Sequence, residues 1–266
     1  MEDRNVRALG RSGCVTVEQR GALAIVRFAR AESRANPLSA AVMRDLIEAA
    51  RSFDDDARTG AIVVTGRPET FSAGLDLRDP ETAELTSADL DRRRVLADAG
   101  RRLLEALSGL APVTVAAIEG PCLGGGLALA ATLDFRVASG NALFGAPEVA
   151  VGLSMGWGSL AHLSAVAGVQ ATRRLVLAGE RLTAEQALAA GLVDRIAEEG
   201  GALEAACEFA RRVAALPLAP LRMAKRAIAA IVQAGGAATA LDVDQFVAAA
   251  GSEQFSETLG TFAKQS

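Results

Sequence analysis

The first two-thirds of the chain alternate short, continuously apolar runs with longer segments in which apolar residues recur every three to four positions. The runs at 15–28, 60–66 and 113–118 are rich in Val, Ile and Ala. They predict buried strands, the first of them a pair around a glycine-containing turn. Ser39 is a good N-cap for the apolar positions that follow it, and 91–110 has the periodicity of an amphipathic helix. Strands that alternate with helices predict an α/β core.

Two segments, 1–12 and 79–90, lack such a pattern. The last part of the chain is almost wholly helical. Residues 1–12 predict a loose leader. The polar segment 79–90 predicts an irregular surface loop, with a lid over a ligand as the functional alternative. From residue 201 onwards the pattern is that of helices, with breaks expected at Pro217, at Pro220 and at the glycine pair 235–236.

Composition excludes several classes of function. Half of the 266 residues are hydrophobic, so the chain can bury a large core. Its 28 basic and 32 acidic residues nearly balance, and aromatic residues are few, which argues against nucleic-acid binding. Three widely spaced cysteines, Cys14, Cys122 and Cys207, form neither a disulfide framework nor a metal-binding pattern. A charged N-terminus and the lack of a membrane-length apolar run then predict a cytoplasmic protein without a metal, a nucleic-acid partner or a membrane partner.

The stretch 112–148 carries the first candidate chemistry. A buried strand is followed by a turn with Gly124, Gly125 and Gly126, and then by a small apolar segment with good helix formers. The first N–H groups of a helix lack intrahelical acceptors, so such a turn can hold a phosphate, a carboxylate or a developing oxyanion. The alternative is tight packing of a helix on its strand. No Lys-Ser/Thr pair follows the glycines and GxGxxG is absent, so the turn is neither a P-loop nor a dinucleotide fingerprint.

Motifs along nearly the whole chain resemble those of the crotonase (enoyl-CoA hydratase/isomerase) superfamily. They are TGRPETFSAGLDL at 65–77, IEGPCLGGGLALAATLDFRVA at 118–138, FGAPEVAVGL at 144–153 and LVLAGERLTAEQALAAGLVDRI at 175–196. The resemblance implies an α/β fold, a crotonase-like spiral of ββα turns with a C-terminal helical trimerisation region. We therefore expect residues 1–200 to form the core that binds acyl-CoA. Residues 201–266 would serve oligomerisation and pocket closure in a homotrimer or dimer of trimers.

The resemblance also implies the substrate and the residues that hold it. An acyl-CoA thioester is expected, with coenzyme A as part of the substrate and no separate cofactor. The backbone N–H groups of Ala73 and Gly125 would hold the thioester oxygen and stabilise the enolate that forms when a C2 proton leaves. The other substrate-binding residues implied are Ser33, Arg34, Ala35, Gly74, Leu75, Asp76, Leu77, Gly124 and Trp157.

The carboxylates distinguish between reactions of this superfamily. Its hydratases carry two glutamates over the substrate. Here the first position is Ala128, while the second is Glu148 in the FGAPE motif. A single base can take a proton from C2 and return it at C4, so the pattern favours double-bond isomerisation. Hydration or thioester hydrolysis with a substitute acid (Asp89, Asp91 or Asp98) remains open, as does a non-catalytic acyl-CoA binding protein.

Four further side chains, and Trp157 again, have two interpretations each. Trp157 stands where superfamily members usually line the acyl end of the pocket, although core packing is as good an explanation. Lys225 and Arg226 are candidates for the phosphates of coenzyme A, with a solvated helix face as the alternative. Phe262 and Lys264 lie near positions that reach a neighbouring subunit in the superfamily, but their spacing departs from its pattern.

Overall fold

The computed structural model describes residues 5–10, 12–234 and 242–264, which form ten strands, ten α-helices and one 3-10 helix. The strands are β1 (Asn5–Leu9), β2 (Val15–Arg20), β3 (Leu23–Phe28), β4 (Ala61–Thr65), β5 (Val113–Ile118), β6 (Pro121–Leu123), β7 (Phe135–Ser139), β8 (Leu143–Gly145), β9 (Arg181–Thr183) and β10 (Arg195–Ala197). The helices are α1 (Ala40–Arg51), α2 (Pro80–Ser87), α3 (Leu90–Ser108), α4 (Gly125–Thr132), α5 (Ser159–Val176), α6 (Ala184–Ala189), α7 (Ala202–Ala214), α8 (Leu218–Ala234), α9 (Asp242–Ala250) and α10 (Glu253–Ala263), with the 3-10 helix at Glu148–Val151.

A seven-stranded sheet in the order β1-β2-β3-β4-β5-β7-β10 forms the centre of the molecule. The first three strands are antiparallel, and the strands from β3 to β10 are parallel. Every residue of β4 and β5 is buried, as expected of parallel strands that are covered on both faces. A second sheet of three short strands, in the order β6-β8-β9, lies beside the first. This is the mixed α/β architecture that the alternating pattern predicts.

Alternate residues of the parallel strands enter two different hydrophobic clusters. Ile25, Val63 and Val115 are paired across three neighbouring strands and pack with small side chains of α7, including Cys207. The next residue of each strand belongs to the larger cluster, which includes side chains of α1, α3 and α4. The first helix of the region 201–266 therefore forms part of the core, because its small residues cover one face of the main sheet.

Most strands and helices that the sequence predicts are present, and their ends follow local capping chemistry. The Oγ atom of Ser39 accepts a hydrogen bond from the N–H of Val42, as a Ser N-cap should. Thr183 and Gln186 form a reciprocal capping box at the start of α6. Among the described residues, no helix combines the length and the apolar character that crossing a membrane requires.

Three sequence predictions of local structure are wrong. Residues 5–9 are not a loose leader, because they pair with β2 as an antiparallel edge strand. The polar segment 79–90 contains helix α2, which begins with Pro80 at its first position and has Asp79 as N-cap. Pro220 does not interrupt a helix, because it lies in the first turn of α8, where a missing N–H removes no intrahelical hydrogen bond. The predicted break at 235–236 lies outside the described residues.

Candidate active site

The glycine-rich turn brings the N-terminus of α4 against a carboxylate. Gly124, the residue before the helix, has φ of 53° and ψ of −123°, a conformation that residues with a side chain rarely adopt. A Cβ atom built on Gly124 would lie 2.8 Å from Oε1 of Glu148. Glycine is therefore required here both for the backbone angle and for the close approach of the glutamate.

The loop 71–77 is held beside this turn by buried hydrogen bonds. The side-chain amide of Asn36 donates to the carbonyl oxygens of Phe28 and Phe71, at 3.0 and 2.8 Å. The Oγ atom of Ser72 donates to the carbonyl of Asn36 and accepts from the N–H of Gly74. A Cβ on Gly74, whose φ is 94°, would lie 2.9 Å from the backbone nitrogen of Gly125. The loop and the start of α4 are thus in direct backbone contact.

Hydrogen bonding within the loop determines which N–H groups remain available to a ligand. The N–H of Ala73 donates to the carbonyl of Ala35 at 2.9 Å. It is engaged within the protein, which corrects the prediction that Ala73 donates to the thioester oxygen. Leu75 forms a parallel bridge with Leu38 in which the carbonyl of Gly74 and the N–H of Asp76 are used, so the N–H of Leu75 faces the other way.

Leu75 and Gly125 are the two residues whose backbone donors the structure brings together. The nitrogen of Leu75 lies 3.5 Å from a Cβ position built on Gly125, and in the described part of the chain its N–H has no acceptor. Gly125 is the first residue of α4, where N–H groups lack intrahelical acceptors and the helix dipole adds partial positive charge. Sequence reasoning included both residues in the site but assigned the second donor to the wrong position of the loop.

Glu148 supplies the carboxylate, and its environment favours the protonated form. It follows β8 and opens the 3-10 helix, which turns its side chain back onto the glycine-rich turn. Part of the residue is exposed, but its Oε2 atom is buried and has no hydrogen-bond partner among the described residues. Burial of the carboxyl group raises the pKa of Glu148 to about 7, against the smaller lowering effect of a hydrogen bond from its own backbone N–H.

A small cavity of about 30 Å³ lies at this point. Its lining residues are Leu75, Gly125, Ala128, Glu148, Leu153, Met155, Gly156, Trp157 and Phe246. Glu148 is the one titratable residue among them. At the position where a second glutamate would stand, Ala128 contributes only a methyl group.

The three aspartates proposed as substitutes lie elsewhere. Asp89 is the N-cap of α3 and accepts from the N–H of Arg92, and Asp91 is exposed in the first turn of that helix. Asp98 forms ion pairs with two arginines of its own helix. None of the three lines the cavity, so within the described residues the structure brings no second acid to Glu148.

Trp157 forms one wall of the cavity in an unusual backbone conformation. Its φ of 69° is in the left-handed region, which costs a bulky residue about 1–3 kcal/mol. The indole is 7% exposed and lies against two glycines. A Cβ on Gly125 would come within 2.5 Å of the ring, and one on Gly100 of α3 within 2.0 Å. Trp157 is therefore packed in the core and also lines the cavity, and its place at the acyl end of a substrate pocket stays a prediction.

The two loops predicted to contact coenzyme A lie next to each other. Ser33, Arg34 and Ala35 form a largely exposed loop, which the bond from Ala73 to Ala35 joins to the loop 71–77. The turn at Asp76 and Leu77 follows in the same loop. An ion pair between the Asp76 carboxylate and Arg30 holds this turn in place. No sequence pattern indicates Arg30, which approaches the loop only through the fold.

The candidates near the C-terminus are separate from the cavity. The ammonium of Lys225 donates to the carbonyl of Pro112 at 2.7 Å and forms an ion pair with Asp134 at 2.6 Å. It is therefore committed within the protein, which corrects its suggested role at the coenzyme A phosphates. Phe262 and Lys264 are at the end of α10 and do not line the cavity of this chain. Their contact with a neighbouring subunit stays a prediction.

Comparison with known proteins shows the family of this chain. The family model described as enoyl-CoA hydratase/isomerase matches residues 18–265. A probable enoyl-CoA hydratase from Mycobacterium avium is 37% identical over 199 residues, which is 74% of this chain and 75% of that protein. An enoyl-CoA hydratase/isomerase from Mycobacterium paratuberculosis superposes with a TM-score of 0.85 at 25% identity, over 93% of this chain and 98% of that one.

A second solved structure, Pseudomonas aeruginosa DspI, has a TM-score of 0.76 at 30% identity, over 95% of this chain and 94% of its own. The family model matches most of the chain, and the relatives and the fold indicate the same family. The chain belongs to the enoyl-CoA hydratase/isomerase family of the crotonase superfamily, whose enzymes act on acyl-CoA thioesters.

Proposed function

We propose that this protein isomerises the double bond of an enoyl-CoA thioester from C3 to C2, with Glu148 as its single acid–base group. The observation that supports this proposal is the lining of the cavity, where Glu148 is the one titratable residue and Ala128 takes the place of a second carboxylate. Isomerisation needs one base that serves two carbon atoms in turn. Hydration is helped by a second group that positions and activates water.

In the proposed reaction the thioester oxygen accepts hydrogen bonds from the N–H groups of Leu75 and Gly125. Ionised Glu148 takes the proton from C2, and the electron pair of that bond moves into the conjugated dienolate with its charge on the thioester oxygen. Glu148 then returns the proton to C4, the double bond is left between C2 and C3, and the carboxylate is regenerated. One backbone donor to a developing oxyanion typically contributes about 3 kcal/mol of transition-state stabilisation.

The pKa of Glu148 suits this transfer of a proton from C2 to C4. A base that must first accept a proton and then donate it works best when its pKa is close to the working pH. Burial raises the pKa of Glu148 to about 7, so both forms of the carboxyl group are populated near neutrality. The buried Oε2 without a partner is free to take the proton, because no protein donor competes for it among the described residues.

Hydration of a 2-enoyl-CoA is the second candidate, and the names of the relatives favour it. In that reaction Glu148 alone would have to orient and activate the water that adds to C3, because no other titratable residue lines the cavity in the described part of the chain. We expect this reaction to be slower than isomerisation, because no second carboxylate holds the water.

The test compares the two reactions in the wild type and in Glu148→Gln. Turnover of a 3-enoyl-CoA is followed by the absorbance of the conjugated product, and hydration of a 2-enoyl-CoA by the loss of that absorbance. Glu148→Gln should lower isomerisation by about 10²–10⁴-fold and leave the affinity for a saturated acyl-CoA, measured by calorimetry, nearly unchanged. Glu257→Gln, at an exposed position of α10, is the matched control. Wild-type hydration faster than isomerisation would replace the first candidate by the second, and full activity in Glu148→Gln would exclude both mechanisms.

A further inference from the structure

Trp157 has the largest side chain of the described residues that line the cavity, and its backbone is strained. Trp157 lies between two glycines, Gly156 and Gly158, in a left-handed conformation that glycine adopts without cost. A large aromatic side chain at such a position is a genuine outlier, and outliers of this kind concentrate at functional sites. The indole is thus held where a residue without a side chain would leave open space.

The seat of the indole is built on both sides. Gly100 on α3 and Gly125 on α4 each leave the space of a missing Cβ to the ring, at 2.0 and 2.5 Å from its carbon atoms. Any larger residue at either position would displace the indole. Phe246 of α9 packs against Gly156, which precedes Trp157 in the chain. The indole of Trp157 is therefore enclosed by α3, α4 and α9 and by its own loop.

A larger cavity lies on the other side of this wall. It has a volume of about 200 Å³, and apolar side chains such as Met43, Ile47 and Leu96 line it together with the charged residues Arg44, Glu81, Arg92 and Arg102. Leu75, Trp157 and Phe246 line both this cavity and the 30 Å³ cavity that contains Glu148. The larger space is suited to an apolar chain, but the indole lies at the boundary between that space and the carboxylate.

We propose that Trp157 is the end wall of the acyl site and restricts this protein to short-chain acyl-CoA thioesters, and that removing the indole joins the two cavities into a long-chain site. This inference rests on the proposed function, because it takes the acyl group to lie against Glu148. A hydrophobic pocket discriminates against one methylene too many by about 10–200-fold. Because Trp157 lines the same cavity as Glu148, this wall should exclude medium and long chains steeply.

The kinetic test measures kcat/KM for enoyl-CoA thioesters of four, eight and twelve carbons in the wild type, Trp157→Gly and Trp157→Phe. The wild type should prefer the four-carbon ester over the twelve-carbon ester by more than about tenfold. Trp157→Gly, which suits the left-handed backbone, should reverse or abolish this preference. Trp157→Phe keeps a ring on the two glycines and should keep the wild-type order. Equal turnover of all lengths by the wild type, or an unchanged order in Trp157→Gly, would overturn the inference.

A binding measurement separates this inference from the proposed function. Trp157 is the one tryptophan of the chain, so its fluorescence reports directly on the acyl site. Butyryl-CoA should change the emission of the wild type, while coenzyme A without an acyl group and lauroyl-CoA should not. Butyryl-CoA binding without turnover of any enoyl-CoA would refute the reaction and leave the wall in place. A lauroyl-CoA signal equal to that of butyryl-CoA would refute the wall even if isomerisation is confirmed. This measurement uses the wild type alone, so it does not depend on the folding of any variant.

Discussion

Replacing the buried glutamate by glutamine should change the stability of the protein in a way that depends on pH. In the unfolded chain Glu148 ionises near the ordinary glutamate value of 4.5, whereas burial raises its pKa in the native state to about 7. Between these two values the native state holds a proton that the unfolded state has lost. The free energy of unfolding therefore falls as the pH rises through this window, and the loss is complete above pH 7.

The size of the effect follows from the two values. Each pH unit between 4.5 and about 7 corresponds to 1.36 kcal/mol, so ionised Glu148 destabilises the native state by about 3 kcal/mol at pH 8. At pH 5 this destabilisation is below about 1 kcal/mol. Native Glu148 is protonated there, and the pH is only slightly above the value of 4.5 at which the unfolded chain loses this proton. Glutamine has nearly the same shape and never ionises. Glu148→Gln should accordingly gain about 2–3 kcal/mol relative to the wild type between pH 5 and pH 8.

Urea denaturation of both proteins at pH 5 and pH 8 measures this difference. Any constant contribution of the buried amide cancels when the two pH values are compared, and so do the titrations of all other groups. Glu257→Gln should show no such change, because that side chain is exposed. A stability difference between Glu148→Gln and the wild type that is the same at both pH values would refute the conclusion that burial raises the pKa of Glu148.

Three further predictions concern the reaction and the assembly. The value of kcat/KM for isomerisation should rise with pH through about 7 and then level off, because the ionised form of Glu148 takes the C2 proton; a profile flat from pH 5 to 8 would contradict this role. The infrared carbonyl stretch of a bound acyl-CoA should shift to lower frequency through the N–H groups of Leu75 and Gly125, and an unshifted band would exclude them as donors. We also expect a homotrimer or dimer of trimers, since Met223 and Ile231 of α8 are 71% and 73% exposed. Ile231→Glu should lower the mass in sedimentation, whereas a wild-type monomer at micromolar concentration would exclude the assembly.

The sequence alone determined the elements whose signals are local. Continuous runs of Val, Ile and Ala are sufficient for buried parallel strands, and Ser39 and Thr183 mark helix starts because their caps involve only neighbouring residues. The glycines at 124–126 and Glu148 could be assigned to one site from motif order. The lack of a second carboxylate at Ala128 could be read directly from the chain. One local signal conflicts with the pattern around it, because Asp79 and Pro80 form a helix start within a segment whose polarity predicts a loop.

Tertiary structure decided what depends on partners that are distant in sequence. The N–H of the loop 71–77 that lies near Gly125 without an acceptor among the described residues belongs to Leu75 rather than Ala73. The carbonyls of Ala35 and Leu38 accept from the N–H groups of Ala73 and Asp76. The pKa of Glu148 depends on burial by residues from several elements, which no local pattern encodes. Likewise, Gly100 and Gly125 are 25 positions apart, and only the packing of α3 beside α4 makes them the two sides of the seat for Trp157. The sequence determines which chemical groups the side chains carry. The hydrogen bonds and cavities around those groups form only when the helices and strands pack together.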